Sequence, residues 1–228
     1  MQNLDDLANK ISSTPLFLRL KNVVENGTGW HDHEDVFSHS VKTANIAKKE
    51  RDGQFITNPE TRELFTQWMD EDVFGMKRRD ILVIIALLHD CGKILGFKEN
   101  GKISTLITQN PFDPSQTMCP GHEYWGGEMV VREILKDSGL DEKIIEYIGK
   151  VTKQHGLFSA EYYVGKEKWS QSELLNDVKA RAEGLCKESL FNMYCDGYTS
   201  PAFSQGKTRV EKLFNAPLFY ADREYFIP

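Results

Sequence analysis

Ile81-Leu82-Val83-Ile84-Ile85-Ala86-Leu87-Leu88 sets eight apolar residues in succession. A run with no polar face predicts a helix buried on all sides. Elsewhere apolar positions recur at helical spacing. Ile144, Ile148, Val151 and His155 stand at i, i+4, i+7 and i+11, so the histidine continues a core-facing stripe. Ser170-x-x-Glu173 is a capping box opening a long helix through Leu174, Val178, Ala182, Leu185 and Ser189. Asp196 falls on that same face. Ser13-Thr14-Pro15 starts a helix over Leu16 to Val24, stopped by Asn26-Gly27. Glu34 and Asp35 sit in the first turn of a helix carrying His39, Ala44, Ile46 and Ala47, favourably placed against its dipole. Asn58-Pro59-Glu60 opens another through Leu64, Phe65 and Trp68, and further helices are expected over Glu123 to Asp137 and from Asp141. The fold class is all-α, an irregular helical bundle with the 81–90 helix at its centre.

Two stretches break the pattern. Residues 96 to 121 carry Gly96, Gly101, Pro111, Pro114 and Pro120, which interrupt any long element. Ile103 to Thr108 is a candidate short strand there, and an irregular insert beside a central motif suits a substrate loop. From Thr199 the chain is aromatic-rich, with Phe203, Phe214, Phe219, Tyr220, Tyr225 and Phe226, and without clear periodicity. It reads as an extended tail lying over the helical body or against another subunit, which leaves a homo-oligomer open. The expected organisation is one domain over 1–198 and a tail over 199–228.

The central apolar run ends in His89-Asp90-Cys91-Gly92-Lys93. Imidazole and carboxylate are costly to bury unless something pairs with them, and a metal ion is a common partner. Lys93 adds a cation within reach of an anionic substrate. Further candidate ligands follow in Asp35-Val36-Phe37-Ser38-His39, Gly121-His122-Glu123, Lys153-Gln154-His155-Gly156 and Tyr194-Cys195-Asp196. A carboxylate on the inward stripe at Asp196 needs a partner, and a metal supplies one. Mixed imidazole and carboxylate donors suit Mn, Fe, Co, Ni or Zn better than Mg, which favours oxygen and water.

The order His39, His89-Asp90, His122, His155, Asp196 resembles the HD superfamily of metal-dependent phosphohydrolases, over roughly residues 30 to 200. Its most specific pieces, EDVFSHS, ALLHDCGK and GHEYWGGE, look most like the HD domain of bacterial tRNA nucleotidyltransferases. The nucleotidyltransferase portion itself has no counterpart in this sequence. The resemblance implies a mononuclear site at His39, His89, Asp90 and Asp196, which His122 and His155 extend to a second ion with Asp90 as bridge. It implies hydrolysis of phosphate mono- or diesters, of nucleotide type, by a metal-bound hydroxide. Asp90 and Lys93 would then be catalytic, with Lys93 contacting the phosphate. Glu34 and Glu123 are candidates for orienting the imidazoles. His31 and His33 match no ligand of the family pattern. The His-Asp-Gly-Tyr-Pro signature of cyclic-di-GMP enzymes is absent, as are the extra signatures of deoxyguanosine-triphosphate and stringent-response hydrolases.

Charge narrows the partners. The net charge of −6 lacks the field of a sequence-independent nucleic-acid binder. Nucleic acid is thus possible but not favoured, and the resemblance implies a small phosphorylated substrate, a nucleotide. Basic clusters such as Lys77-Arg78-Arg79 and the tail's Arg209, Lys212 and Arg223 read as solvated surface charge. No apolar run approaches the ~18 residues of a membrane span, and Met1 to Asp6 shows no secretory pattern, so a cytoplasmic protein is expected. The four cysteines form no C-x-x-C pair, against a zinc ribbon. The rival function is a non-enzymatic metal- or nucleotide-binding sensor or interaction module on the same fold. Six metal-suited side chains argue against it.

Overall fold

The computed structural model describes residues 3–23, 34–96, 108–109, 117–118, 121–198 and 200–221. Helix dominates them, as the apolar spacing requires. After α1 (Leu4–Ser12), Thr14 caps α2 (Pro15–Leu18) by accepting a hydrogen bond from the Phe17 amide. This helix tightens into a 3-10 turn over Arg19–Asn22 instead of running regularly toward Val24. Val24, the Asn26-Gly27 stop, and His31 and His33 lie outside the described residues. Asp35 is the N-cap of α3 (Val36–Glu50), its carboxylate accepting from the Ser38 amide at 2.9 Å. Glu34 therefore precedes the helix and does not belong to its first turn. Asn58 caps α4 (Pro59–Met69). A two-residue hairpin, β1 (Asp72–Val73) with β2 (Met76–Lys77), then turns the chain into α5 (Arg78–Leu88).

α5 is the central helix. Ile81 to Leu88 are all buried, and α3, α8 (Glu142–Lys153) and α10 (Cys186–Asp196) pack around it. It hands over to a 3-10 turn, Cys91–Gly96. β3 (Thr108–Gln109) pairs antiparallel with β4 (Thr117–Met118). Of the strand expected over Ile103 to Thr108, only Thr108 falls within the described residues. The expected helix over Glu123 to Asp137 is composite: α6 (His122–Trp125), a π-helical turn at Gly126–Val130, and α7 (Val131–Leu135).

Two further expectations fail. The long helix opened by the Ser170/Glu173 capping box stops after α9 (Gln171–Arg181). Glu183 and Gly184 adopt positive φ of 47° and 84°, and glycine takes that conformation without steric cost. α10 restarts at Cys186, so the packing of α10 itself, not a register inherited from Leu174, sets the facing of Asp196. The stretch read as an extended tail contains α11 (Ser204–Phe214). Its polar start, Ser204-Gln205-Gly206-Lys207, hides the helical pattern that Val210, Leu213 and Phe214 complete. Phe214 and Phe219 are fully buried, with Phe214 packing edge-on to Phe65 at 5.7 Å between ring centroids.

Arg78 is not solvated charge. It is buried beside Glu188, with Nε 3.3 Å from Oε1, and it reaches Glu71 at 2.8 Å and stacks over Trp68. Tyr147 donates its hydroxyl to Glu188 at 2.6 Å. Cys91, Cys186 and Cys195 are buried. Among the described residues no helix is long and apolar enough to cross a membrane.

Candidate metal centre

Five elements converge at the end of α5. α3 brings His39, the α5 terminus His89 and Asp90, the first turn of α6 His122, the turn after α8 His155, and the last turn of α10 Asp196. The ligand-type atoms fall into two groups, His39 with His89 and Asp196, and Asp90 with His122 and His155. Within each, those atoms lie within 4.8 Å of one another. In the first group Asp196 Oδ1 is 2.8 Å from His39 Nε2 and 3.4 Å from His89 Nε2. In the second, Asp90 Oδ1 is 3.1 Å from His122 Nε2 and 3.4 Å from His155 Nε2, and those two nitrogens are 3.2 Å apart. Asp90 joins the groups, because its other oxygen lies 3.4 Å from His89 Nε2 and 3.9 Å from His39 Nε2. Lys93 Nζ contacts that same oxygen at 2.8 Å, buried like the carboxylate it meets.

The imidazoles are oriented from behind. His89 Nδ1 lies 2.8 Å from the Ala86 carbonyl, and His155 Nδ1 lies 2.8 Å from the Thr152 carbonyl. A carbonyl only accepts, so Nδ1 carries a proton in both rings and Nε2 is turned toward the cluster. His39 Nδ1 is 3.4 Å from Glu34 Oε1, and His122 Nδ1 is 3.5 Å from Glu123 Oε2. All four rings thus present Nε2 inward, with an acceptor behind Nδ1, the arrangement metal-ligating histidines use.

The chemistry of the donors calls for a cation. His89 Nε2 is fully buried and, among the described residues, in hydrogen-bond geometry with none, and such an orphaned nitrogen is costly. Burial pulls the His89 imidazole down, but the carboxylates of Asp90 and Asp196 outweigh it and push it up to about 10. Burial also opposes ionisation of those two carboxylates, yet Lys93 and the histidines hold Asp90, and His89 with His39 hold Asp196, well below the usual range. A proton and a metal ion compete for such a nitrogen, and a divalent ion satisfies both carboxylates at once. The residues fit a divalent metal.

Glycines let the carriers approach. A methyl at Gly92 would overlap the His122 carbonyl, and one at Gly127 would overlap the Gly149 carbonyl. The turn bearing His122 therefore touches both the His-Asp turn and α8 by backbone alone. The π-helical turn lies at this crossing, and π turns concentrate at functional sites. Sequence reading passed over this feature, although Gly126-Gly127 inside a helical pattern signals close backbone approach. In an open helix Gly→Ala stabilises by roughly 1 kcal/mol. Here the clash reverses the sign, and Gly127→Ala is expected to cost about 1–3 kcal/mol in a urea melt. A variant as stable as the parent would mean that the two backbones part freely.

The model of the HD domain family matches residues 36–189, more than half the chain. No curated protein matches the sequence. The family match ends seven residues before Asp196, so only the geometry joins that carboxylate to the cluster. On this match and its all-helical architecture, the chain belongs to the HD domain family, whose members are typically metal-dependent hydrolases.

Proposed function

We propose that this protein hydrolyses phosphate mono- or diesters of nucleotide-type substrates at the centre built on Asp90. The observation carrying this reading is the pair of ligand groups set back to back on one carboxylate. His39, His89 and Asp196 would hold one divalent ion, His122 and His155 a second, with Asp90 shared between them. Ions in such a pair supply Lewis-acid charge at the phosphoryl group and lower the pKa of water to about 7.

The chain's own groups do the rest. The Ala86 and Thr152 carbonyls hold the rings of His89 and His155 in one tautomer. Glu34 and Glu123 stand behind His39 and His122. Lys93 is a buried ammonium beside the shared carboxylate, a point charge suited to a phosphate oxygen. The buried wall of α5 keeps bulk water from the far side, which strengthens each charge interaction in the cluster. Nucleotide substrates are favoured by the motif style of EDVFSHS and GHEYWGGE.

The test is a panel of mono- and diesters assayed with Mn, Co, Ni and Mg. Turnover is expected only with a transition metal present. Lys93→Ala should lower turnover by at least about tenfold, the loss of roughly one charge-assisted contact of 1.5–3 kcal/mol, while metal content holds. Bound metal with no turnover of any ester would replace this reading with the sensor or binding module.

A further inference from the structure

The four imidazoles are not equally covered. The His122 side chain is 15% exposed, against 0–7% for His39, His89 and His155, so the cluster meets solvent at the start of α6. Beside that opening stand aromatic rings. Trp125 lies one turn after His122, a spacing that puts two side chains on neighbouring positions of a helix surface, with Cβ atoms roughly 5–6 Å apart. Trp125 keeps 36% of its surface exposed and Tyr124 52%. Their rings meet edge to face at 5.0 Å, and Lys153 stands over the Tyr124 ring at 5.3 Å, also paired with Glu128. Exposed indole and phenol groups are expensive to leave in water, and among the described residues Tyr124 and Trp125 are the only exposed aromatics. Phe65, Phe158, Phe191, Phe203, Phe214 and Phe219 are all at 0%.

We propose that Trp125, supported by Tyr124, is the specificity-determining platform on which the base of the substrate stacks while its phosphate enters the Asp90 cluster. This inference rests on the phosphohydrolase reading above and adds the part of the substrate that is recognised. A planar ring is the occupant because a flat aromatic face rewards stacking by any nucleobase. The three-residue spacing from His122 on α6 sets Trp125 beside that opening. Lys153, held over Tyr124 and paired with Glu128, stiffens the platform. Tyr124 thus meets both a cation over its ring and the Trp125 indole.

Two measurements on the metal-loaded full chain decide it. Steady-state kinetics with adenosine monophosphate and with ribose 5-phosphate, which lacks the base, should show that Trp125→Leu lowers the preference for the nucleotide at least tenfold. That is about 1.4 kcal/mol. Trp125→Phe, which keeps a ring, should recover most of it. An unchanged preference in Trp125→Leu would overturn the platform while leaving hydrolysis intact. Titration of adenosine against tryptophan emission provides a readout independent of turnover. Quenching is expected in the parent and should be lost in Trp125→Leu. If neither phosphate ester is turned over, the hydrolase reading falls, and the titration still rules on Trp125: absence of quenching in the parent overturns the platform.

Discussion

Asp90→Ala should empty both halves of the cluster at once. One carboxylate oxygen faces His122 and His155, and the other faces His89, His39 and Lys93, so this carboxylate reaches both groups. Removing a group that merely orients a ligand costs about 10–100-fold in metal affinity. Loss of the shared ligand should therefore cost more than about 100-fold, with hydrolysis lost alongside. Elemental analysis after dialysis against a weak chelator reads the result. Asp90→Asn keeps the shape but removes the charge, and it should fall between the parent and the alanine variant. Retention of the parent's metal content by Asp90→Ala would show that the two groups are independent.

Glu188→Ala is expected to give the largest loss of stability away from the metal centre. Arg78 and Glu188 are both buried, and Tyr147 shares the same carboxylate. Breaking a buried pair from one side strands the remaining charge and costs about 3–5 kcal/mol. Glu71 offers Arg78 a second carboxylate at 2.8 Å, but it is half exposed and therefore the weaker partner. A urea melt reports the loss. Replacing both residues by apolar ones of similar volume should recover much of it, because the unpaired charge goes too. A Glu188→Ala variant within about 0.5 kcal/mol of the parent, as for an ordinary surface change, would mean that Arg78 finds water or Glu71 at no cost.

The parts of this protein legible in its sequence are those where one local rule dominates. The unbroken run to Leu88 could only be a buried helix, and the His-Asp pair at its end could only be buried with partners. Helix starts at Thr14, Asn58, Asp141 and Ser170 were legible because each cap satisfies amides within its own turn. What escaped depends on contacts between distant segments. Arg78 looks like one of three surface cations, and only Glu188, more than a hundred residues later, makes it a core residue. α11 is helical because Phe214 finds Phe65 and Phe191, a reward invisible in its polar first turn. The break at Gly184 was readable but was outweighed by an apolar stripe that ran on in phase by coincidence. At the centre, the residue types and the bridging place of Asp90 follow from the resemblance, whereas the distances alone show which carboxylate oxygen faces which group.

Anomalous scattering from crystals grown with Mn(II) should show two peaks about 3.5–4 Å apart. One should lie among His39, His89 and Asp196, the other against His122 and His155, with a carboxylate oxygen of Asp90 toward each. A single peak among His39, His89, Asp90 and Asp196, with His122 and His155 still 3.2 Å apart and bonded to each other, would contradict that arrangement.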